Sequence, residues 1–184
     1  MKSKLHQKYK DEVVPELIKE FDYDNEMETP KVEKVVVNVG YGKKKDNKDY
    51  IETVEQTLRD ITGQKPVHNR AKKSISNFNI QQGEKIGVSA TLRGREMYEF
   101  LYKLINLTFP RTKDFRGISP ESFDENGNYS VGIEQSVAFP EVEVEDMDKV
   151  HGMQIAVTTT ADTEEEGFAL LDKLGFPFKK EDNN

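Results

Sequence analysis

The alternation of apolar and polar residues predicts four helices and four strands. Apolar residues recur at helical spacing in segments 2–21, 50–61, 94–107 and 163–174. Runs rich in β-branched residues predict strands at 32–39, 86–93, 128–139 and 153–160. Pro15 should kink or split the first helix and Pro110 should end the third, because proline lacks a backbone donor. Gly63 is the expected C-terminal stop of the second helix.

The stretch from Asn69 to Gly87 has no clear period and is rich in Ser, Asn, Gln and Gly. We interpret it as a long loop or flexible hairpin. Loops of this length inside compact domains are uncommon and are usually functional or disordered. Helices and strands interleave without the regular rhythm of a parallel βαβ sheet. We therefore expect an α+β fold, with a mostly antiparallel sheet, helices packed on one face and the other face open.

Side chains alternate across a strand, so two of the predicted strands can each be divided into an apolar and a more polar face. The apolar faces carry Val35, Val37 and Val39 in one strand, and Val88, Ala90 and Leu92 in the other. The opposite faces carry Lys34, Val36 and Asn38, and Ser89, Thr91 and Arg93. Amide, hydroxyl and guanidinium groups contact phosphate and ribose oxygens without reading bases. A sheet face exposed only to water is the alternative explanation.

The distribution of charge favours contact with phosphate and ribose oxygens over a sheet face exposed only to water. The whole chain has a net charge of −7, yet residues 65–116 hold eleven Lys or Arg and four acids, a net charge of +7. A positive zone kept in an acidic protein indicates a polyanionic partner, since the whole-protein charge would repel one. A solvated surface that happens to be rich in lysine is the alternative.

Other chemistry finds little support in the residues. The chain has no cysteine, and His6, His68 and His151 do not have the spacing of metal ligands. The segment Asp124–Asn128 differs from a calcium loop and is better explained as a tight turn at Asn126–Gly127. No nucleophile has a base partner, so we expect no enzyme, no metal and no cofactor. We expect one domain over residues 1–180, a polar tail over 181–184, no membrane segment and a cytoplasmic location.

Several ordered motifs resemble one known family, the bacterial large-subunit ribosomal protein L5 family. The matching runs extend in order from about Leu5 to Phe178 and include VEKVVVNVGYG (32–42), TGQKP (62–66), KKSISNFNIQQGEKIGVSATLRG (72–94), PRTKDFRGIS (110–119), FDENGNYSVGI (123–133), FPEV (139–142) and TTTADTEEEGFALLDKLGFPF (158–178). The resemblance implies a non-enzymatic component of the ribosome's central protuberance that binds 5S rRNA, together with other large-subunit components. The family grips the RNA backbone with the open face of its sheet.

Residue by residue, the resemblance implies 5S rRNA contacts at Asn38, Gln64 and Thr91. Two of these, Asn38 and Thr91, also lie on the polar faces that strand alternation predicts, and the same faces add Lys34, Ser89 and Arg93 as candidates. For Gln64, a capping or turn residue is the alternative. The base of the aperiodic stretch adds Arg70, Lys72 and Lys73 as phosphate contacts.

The resemblance also implies a mobile loop near the P-site tRNA and a bridge to small-subunit protein S-thirteen. The loop corresponds to residues 74–87, and its candidate contact residues are Ser74, Ile75, Ser76, Asn77, Phe78, Asn79, Ile80, Gln81, Gln82 and Gly83. The bridge is expected around residues 110–117, with candidates Arg111, Lys113, Asp114 and Arg116.

Three features depart from the family pattern. The family is usually basic, whereas residues 117–184 hold 4 basic and 16 acidic residues. That half either faces solvent or a basic protein neighbour, or it reflects adaptation to a salty cytoplasm. Glu134 stands where relatives commonly have a basic residue, and Glu84 lies in the tRNA-proximal loop. Competing functions are a free RNA-binding regulator or chaperone, which would not co-sediment with large subunits, and a protein-interaction module, which would retain no RNA.

Overall fold

Residues 3–143 and 149–179 are described in the computed structural model of the chain. In this part of the chain, the α-helices are α1 (Lys4–Lys8), α2 (Val14–Phe21), α3 (Lys48–Thr62), α4 (Gly94–Lys103), α5 (Phe109–Arg111) and α6 (Glu164–Leu174). The strands are β1 (Val32–Gly40), β2 (Val67–Arg70), β3 (Lys85–Leu92), β4 (Tyr129–Ile133) and β5 (Met153–Thr159). None of the helices in these two ranges is long and apolar enough to cross a bilayer.

The five strands form one antiparallel sheet in the order β2-β3-β1-β5-β4. In β1 the side chains of Val35, Val37 and Val39 are buried, while the intervening residues 34, 36 and 38 are half-buried. In β3 Val88 and Leu92 are fully buried, and the alternate positions after Gly87 are more accessible. The predicted α+β fold and the predicted division of these strands into two faces are confirmed.

Two helices contain a proline directly after a π-helical segment. The π segments span Tyr9–Val13 and Leu104–Thr108, and the prolines are Pro15 in α2 and Pro110 in α5. A proline ring normally clashes with the carbonyl four residues earlier, and the wider π turn changes that spacing. The helix predicted at 2–21 is divided into two α-helices by the π segment Tyr9–Val13, and helical structure continues through Pro15. The prediction that Pro110 ends the helix is wrong, because helical structure continues to Arg111.

One other predicted boundary is wrong, and one pair of alternatives is decided. The strand predicted at 128–139 ends at Ile133, and a 3₁₀ turn follows at Ser136–Ala138, where the Ser136 amide donates to the His151 carbonyl (2.9 Å). For residues 69–87, the predicted hairpin is confirmed and the alternative of a long loop is wrong. The ends of this segment belong to β2 and β3, and between them the chain forms a hydrogen-bonded hairpin with an Ile75–Ile80 bridge. Short polar strands carry little periodicity, which is why the sequence did not reveal β2.

The described residues cluster into two compact units. The first unit comprises residues 3–35, 92–131 and 156–179, and its largest buried side chains include Leu17, Phe109, Tyr129 and Leu170. The second unit comprises residues 36–91, 132–143 and 149–155, with Val54, Leu58, Phe139 and Ile155 in its core. Because β1 contributes residues to both units, this clustering does not test the single-domain prediction for residues 1–180. The tail predicted at 181–184 lies outside the described residues.

Candidate nucleic-acid interface

Three polar side chains are joined on neighbouring strands of the second unit. Asn69 of β2 donates from Nδ2 to Oδ1 of Asn38 on β1 (3.1 Å), and the Ser89 hydroxyl of β3 donates to Oδ1 of Asn69 (3.2 Å). We call this set the amide network. Each member is half-buried. The hydrogen bonds hold the three side chains in place, and a ligand can still reach them. Held side chains lose less rotamer entropy when they bind a ligand.

Gly87 gives the amide network the space that it needs. It pairs with Asn69 in the β2–β3 register, and a Cβ added to it would lie 2.8 Å from the backbone oxygen of Val39. A side chain here would stand between β2 and β1. Its absence lets Asn69 reach across β3 to Asn38.

Donors remain available on this face. Within the part of the chain that the structure describes, Nδ2 of Asn38 and the hydroxyl of Thr91 have no hydrogen-bond partner, and Thr91 is exposed. Free amide and hydroxyl donors on a strand face suit phosphate and ribose oxygens. Lys34 and Arg93 belong to the first unit. Arg93 lies 3.7 Å from Glu33, and because both side chains are more than half exposed, this ion pair contributes little.

The cations predicted at the loop base are all exposed. They are Arg70, Lys72 and Lys73, and Nη1 of Arg70 donates to the Gly83 carbonyl across the hairpin (3.1 Å). Residues 65–91 contain five basic residues and one acid, Glu84. Glu84 is bound by Lys45, whose Nζ lies 2.9 Å from both carboxylate oxygens. The acid is therefore neutralised locally, and the loop base keeps its positive charge.

The predicted tRNA-proximal loop, 74–83, is the hydrogen-bonded end of the hairpin. The Gln82 amide donates to the Ser74 hydroxyl (2.9 Å), and a 3₁₀ turn spans Ser76–Phe78. Its apolar side chains Ile75 and Phe78 are 45% and 55% exposed. These two side chains are accessible to a partner, and the contact of this loop with tRNA stays a prediction.

Gln64 has a structural role in the turn after α3. Its backbone amide donates to the Thr62 hydroxyl (3.3 Å), directly after Gly63 ends the helix with φ 69°. This geometry matches the turn explanation. Its contact with RNA stays a prediction.

The predicted bridge residues lie on an exposed segment of the first unit. Arg111 is the last residue of α5, and Lys113, Asp114 and Arg116 follow it in exposed positions. Phe115 anchors the segment by stacking on Phe109, with ring centroids 5.7 Å apart. The accessible side chains can reach a partner, and the bridge itself stays a prediction.

Sequence reasoning missed Asn69. The sequence places it at the start of a predicted loop or hairpin, and only the strand pairing with β3 brings it onto the same face as Ser89 and Asn38. The available signal was the Val67–Arg70 run, a polar tetrapeptide with a β-branched start, which is too short for a periodicity argument.

Comparisons with known proteins match this chain along nearly its whole length. The family model "Ribosomal protein L5" matches residues 25–81, and "ribosomal L5P family C-terminus" matches residues 85–178. A large ribosomal subunit protein uL5 of Halothermothrix orenii is 53% identical over 178 residues, which cover 97% of this chain and 99% of the relative. The uL5 proteins of Dictyoglomus thermophilum and Fervidobacterium nodosum are 52% and 51% identical, with 96% of this chain covered in each.

The chain belongs to the ribosomal protein L5 family. It is therefore a structural, non-enzymatic protein of the large ribosomal subunit, associated with the ribosome in the cytoplasm. The two matched regions of the L5 family divide at residues 82–84, inside the hairpin between β2 and β3. Of the competing functions, the ribosomal component is the one that family membership supports.

Proposed function

We propose that this L5 family member binds 5S rRNA through the polar face of β1 and β3, with Asn38, Thr91 and the amide network contacting the sugar–phosphate backbone. The observation that carries the proposal is the amide network itself. It orients Asn38 and leaves its Nδ2 donor without a partner in the described residues, beside the half-buried hydroxyl of Ser89. These donors recognise backbone oxygens, so the RNA would be selected by shape more than by sequence.

The exposed cations at the loop base support the same partner. Arg70, Lys72 and Lys73 present fork-shaped and point-like positive groups to phosphate. The acid among them, Glu84, is bound by Lys45 and adds little repulsion. Lys34, Arg93 and Gln64 complete the proposed set of RNA contacts.

The proposal is tested by Asn38→Ala combined with Thr91→Ala. Hydrogen bonds to charged groups contribute about 1.5–3 kcal/mol each, so 5S rRNA affinity should fall at least about tenfold. The melting temperature should change little, because only one neutral hydrogen bond of the network is lost. Isothermal titration with 5S rRNA and thermal unfolding measure the two effects.

A matched control is Asn106→Ala combined with Thr53→Ala. The same residue types are removed from helical positions, where each bonds its own helix backbone. This variant should keep full RNA affinity. Equal affinity of the sheet variant and the parent chain would refute the proposal.

The exposed tip of the hairpin supports a second contact, between residues 74–83 and the P-site tRNA, and the exposed segment 111–116 supports the bridge to protein S-thirteen. Deleting Ser76–Gln82 should leave 5S rRNA affinity unchanged, because the amide network lies outside the deleted residues. The same deletion should weaken tRNA binding to ribosomes that carry the variant. Loss of 5S rRNA binding on this deletion would contradict the division of tasks between loop and sheet.

A further inference from the structure

A groove in the first unit has no role in the proposed RNA binding. Two hollows of about 440 and 600 Å³ share Pro120, Phe168 and Asp172 in their walls. The larger of them runs on to Pro177 and Phe178, whereas Phe21 of α2 lines the smaller one. We call the pair of hollows the α6 groove. The volume of each hollow is in the range of cavities that accept small ligands or side chains.

Phe168 forms the apolar ridge of the α6 groove. Its ring packs against Phe178 and Phe123, with centroids 4.8 and 6.0 Å away, and it is still 37% exposed. These two contacts fix the position of the Phe168 ring, and the part of the ring that they do not cover is accessible. A rigid aromatic surface of this kind is a suitable anchor for an apolar side chain, since little freedom is lost on contact.

Negative charge surrounds the smaller hollow. Its walls include Glu20, Glu164, Glu165 and Asp172, against a single ammonium group, that of Lys173. Nζ of Lys173 lies 2.8 Å from Glu20 and 3.4 Å from Glu16, and the Glu20 hydrogen bond is the main cause of its raised pKa. Its charge is thus already compensated inside the protein.

The rim has a net negative charge, because three acids lack an ion-pair partner in the described residues, whereas the larger hollow adds one further cation, Lys179. Within residues 3–143 and 149–179, Glu164, Glu165 and Asp172 make no ion pair. The chain from Gly117 onward reinforces this sign with a net charge of −12. RNA phosphates would be repelled here, and a cationic partner would be attracted.

We propose that the α6 groove binds a lysine- or arginine-rich peptide segment of another protein. An apolar side chain of that segment lies against Phe168 and Phe21, and its cationic side chains pair with Glu164, Glu165 and Asp172. The occupant is inferred from charge complementarity together with the exposed aromatic ridge. The inference involves residues of the first unit only and does not depend on 5S rRNA binding by the second.

The test uses synthetic peptides and the full chain. The probe is a labelled twelve-residue peptide in which lysine and arginine alternate with leucine and phenylalanine. Two comparison peptides replace either the apolar residues by serine or the basic residues by glutamate. Fluorescence anisotropy at low salt should show binding of the first peptide, at least about tenfold weaker binding of the serine peptide, and none of the glutamate peptide.

The decisive variant is Glu164→Gln with Glu165→Gln and Asp172→Asn, and its control is Asp49→Asn with Glu52→Gln and Asp60→Asn on α3. Both remove three exposed carboxylates from one helix, two within its first five residues and one at the third position from its end. The first variant should lose at least tenfold in peptide affinity, and the control should lose less than twofold. A thermal unfolding scan establishes that both variants are folded.

Three results would overturn the proposal. Equal losses in both triple variants would indicate attraction by total charge alone, and no loss in either would place the peptide elsewhere. Amide NMR signals of Phe168 and Asp172 that shift with protein concentration alone would identify a second copy of the chain as the occupant. Signals that shift instead with added peptide, and not with 5S rRNA, would support the groove as a peptide site.

Discussion

Lys45 illustrates how one side chain holds together the hairpin between β2 and β3. Its ammonium group donates to the backbone oxygen of Asn79 and to both carboxylate oxygens of Glu84, and only 15% of the side chain is exposed. Glu84 also accepts the Gln81 amide (3.0 Å). This backbone bond and the Lys45 bond lower the pKa of Glu84. Glu84, an acid in the proposed tRNA-proximal loop, thus belongs to the hydrogen bonds that hold the hairpin together.

Lys45→Met should loosen the hairpin while preserving the protein. Methionine keeps the apolar stem and removes the ammonium group, so the bonds to Asn79 and Glu84 are lost. Amide hydrogen exchange at Gln81 and Glu84 should become at least about fivefold faster, because local opening is no longer opposed by these bonds. 5S rRNA affinity should stay within twofold. Lys43→Met, which removes an exposed lysine from the same turn, is the control, and equal exchange rates in the two variants would contradict this role.

His151 links folding to pH. Its ring is 5% exposed, lies near the Tyr50 ring and donates from Nδ1 to the Lys149 carbonyl (3.0 Å). Burial is the main cause of its lowered pKa, and the charge of Lys44 adds to the effect. A folded-state pKa below the ordinary 6.5 means that the unfolded chain binds the proton more readily. The contribution of the buried neutral ring to the free energy of unfolding is therefore full above about pH 6.5, and it decreases as the pH falls below that value.

The measurement is chemical unfolding of the parent chain and of His151→Phe between about pH 7.5 and pH 5.5, a range in which ordinary carboxylates stay ionised. The free energy of unfolding of the parent should fall with a slope of at most about 1.4 kcal/mol per pH unit from this one proton. The variant should show a smaller slope. Parallel pH profiles would exclude His151 as the source.

At the level of the helices and strands, elements with strong periodicity could be predicted from the sequence. Elements that depend on pairing with another strand could not. Gly63 and the Thr163 cap set the ends of α3 and α6 as local rules require. The π segments before Pro15 and Pro110 have no local sequence signal. For the candidate site, Asn38 and Thr91 followed from alternation, whereas Asn69 needed the β2–β3 register, a long-range property.

Helix α6 rests on the turn that precedes β4 through two glycines. A Cβ added to Gly167 would lie 2.4 Å from the Gly127 oxygen and 2.5 Å from its Cα, and Gly127 itself has φ 71°. Alanine in a helix is favoured over glycine by about 1 kcal/mol, yet overpacking against backbone costs about 1–3 kcal/mol and more where neither side can move. The steric effect should prevail.

Gly167→Ala should therefore destabilise the protein by about 2 kcal/mol, measured by urea unfolding. The matched control is Gly132→Ala in β4, where no atom lies within 4 Å of the added Cβ. That substitution should change the free energy of unfolding by less than about 0.5 kcal/mol. A stabilised Gly167→Ala protein would mean that α6 can shift away from the turn at low cost.

For the whole molecule, the main question is how an acidic protein binds an acidic polymer. The chain divides its charge, with +7 in residues 65–116 and −12 in residues 117–184. The first segment includes the loop-base cations, and the second includes the rim of the α6 groove. The two proposed partners, RNA and a basic peptide, would thus each contact a segment of opposite charge.

This division makes a quantitative prediction about salt. If Arg70, Lys72 and Lys73 each neutralise a phosphate, the triple glutamine variant should bind 5S rRNA more weakly and with a smaller salt dependence. Each lost contact should reduce the slope of log affinity against log salt by about 0.7–0.9, so the total change should be about 2–3. The exposed lysines Lys10, Lys19 and Lys48 provide the matched control, whose glutamine triple should keep the parent slope. An affinity that persists in the parent chain at molar salt, with no change of slope in either variant, would instead identify the acidic surface as an adaptation to a salty cytoplasm and exclude phosphate neutralisation at the loop base.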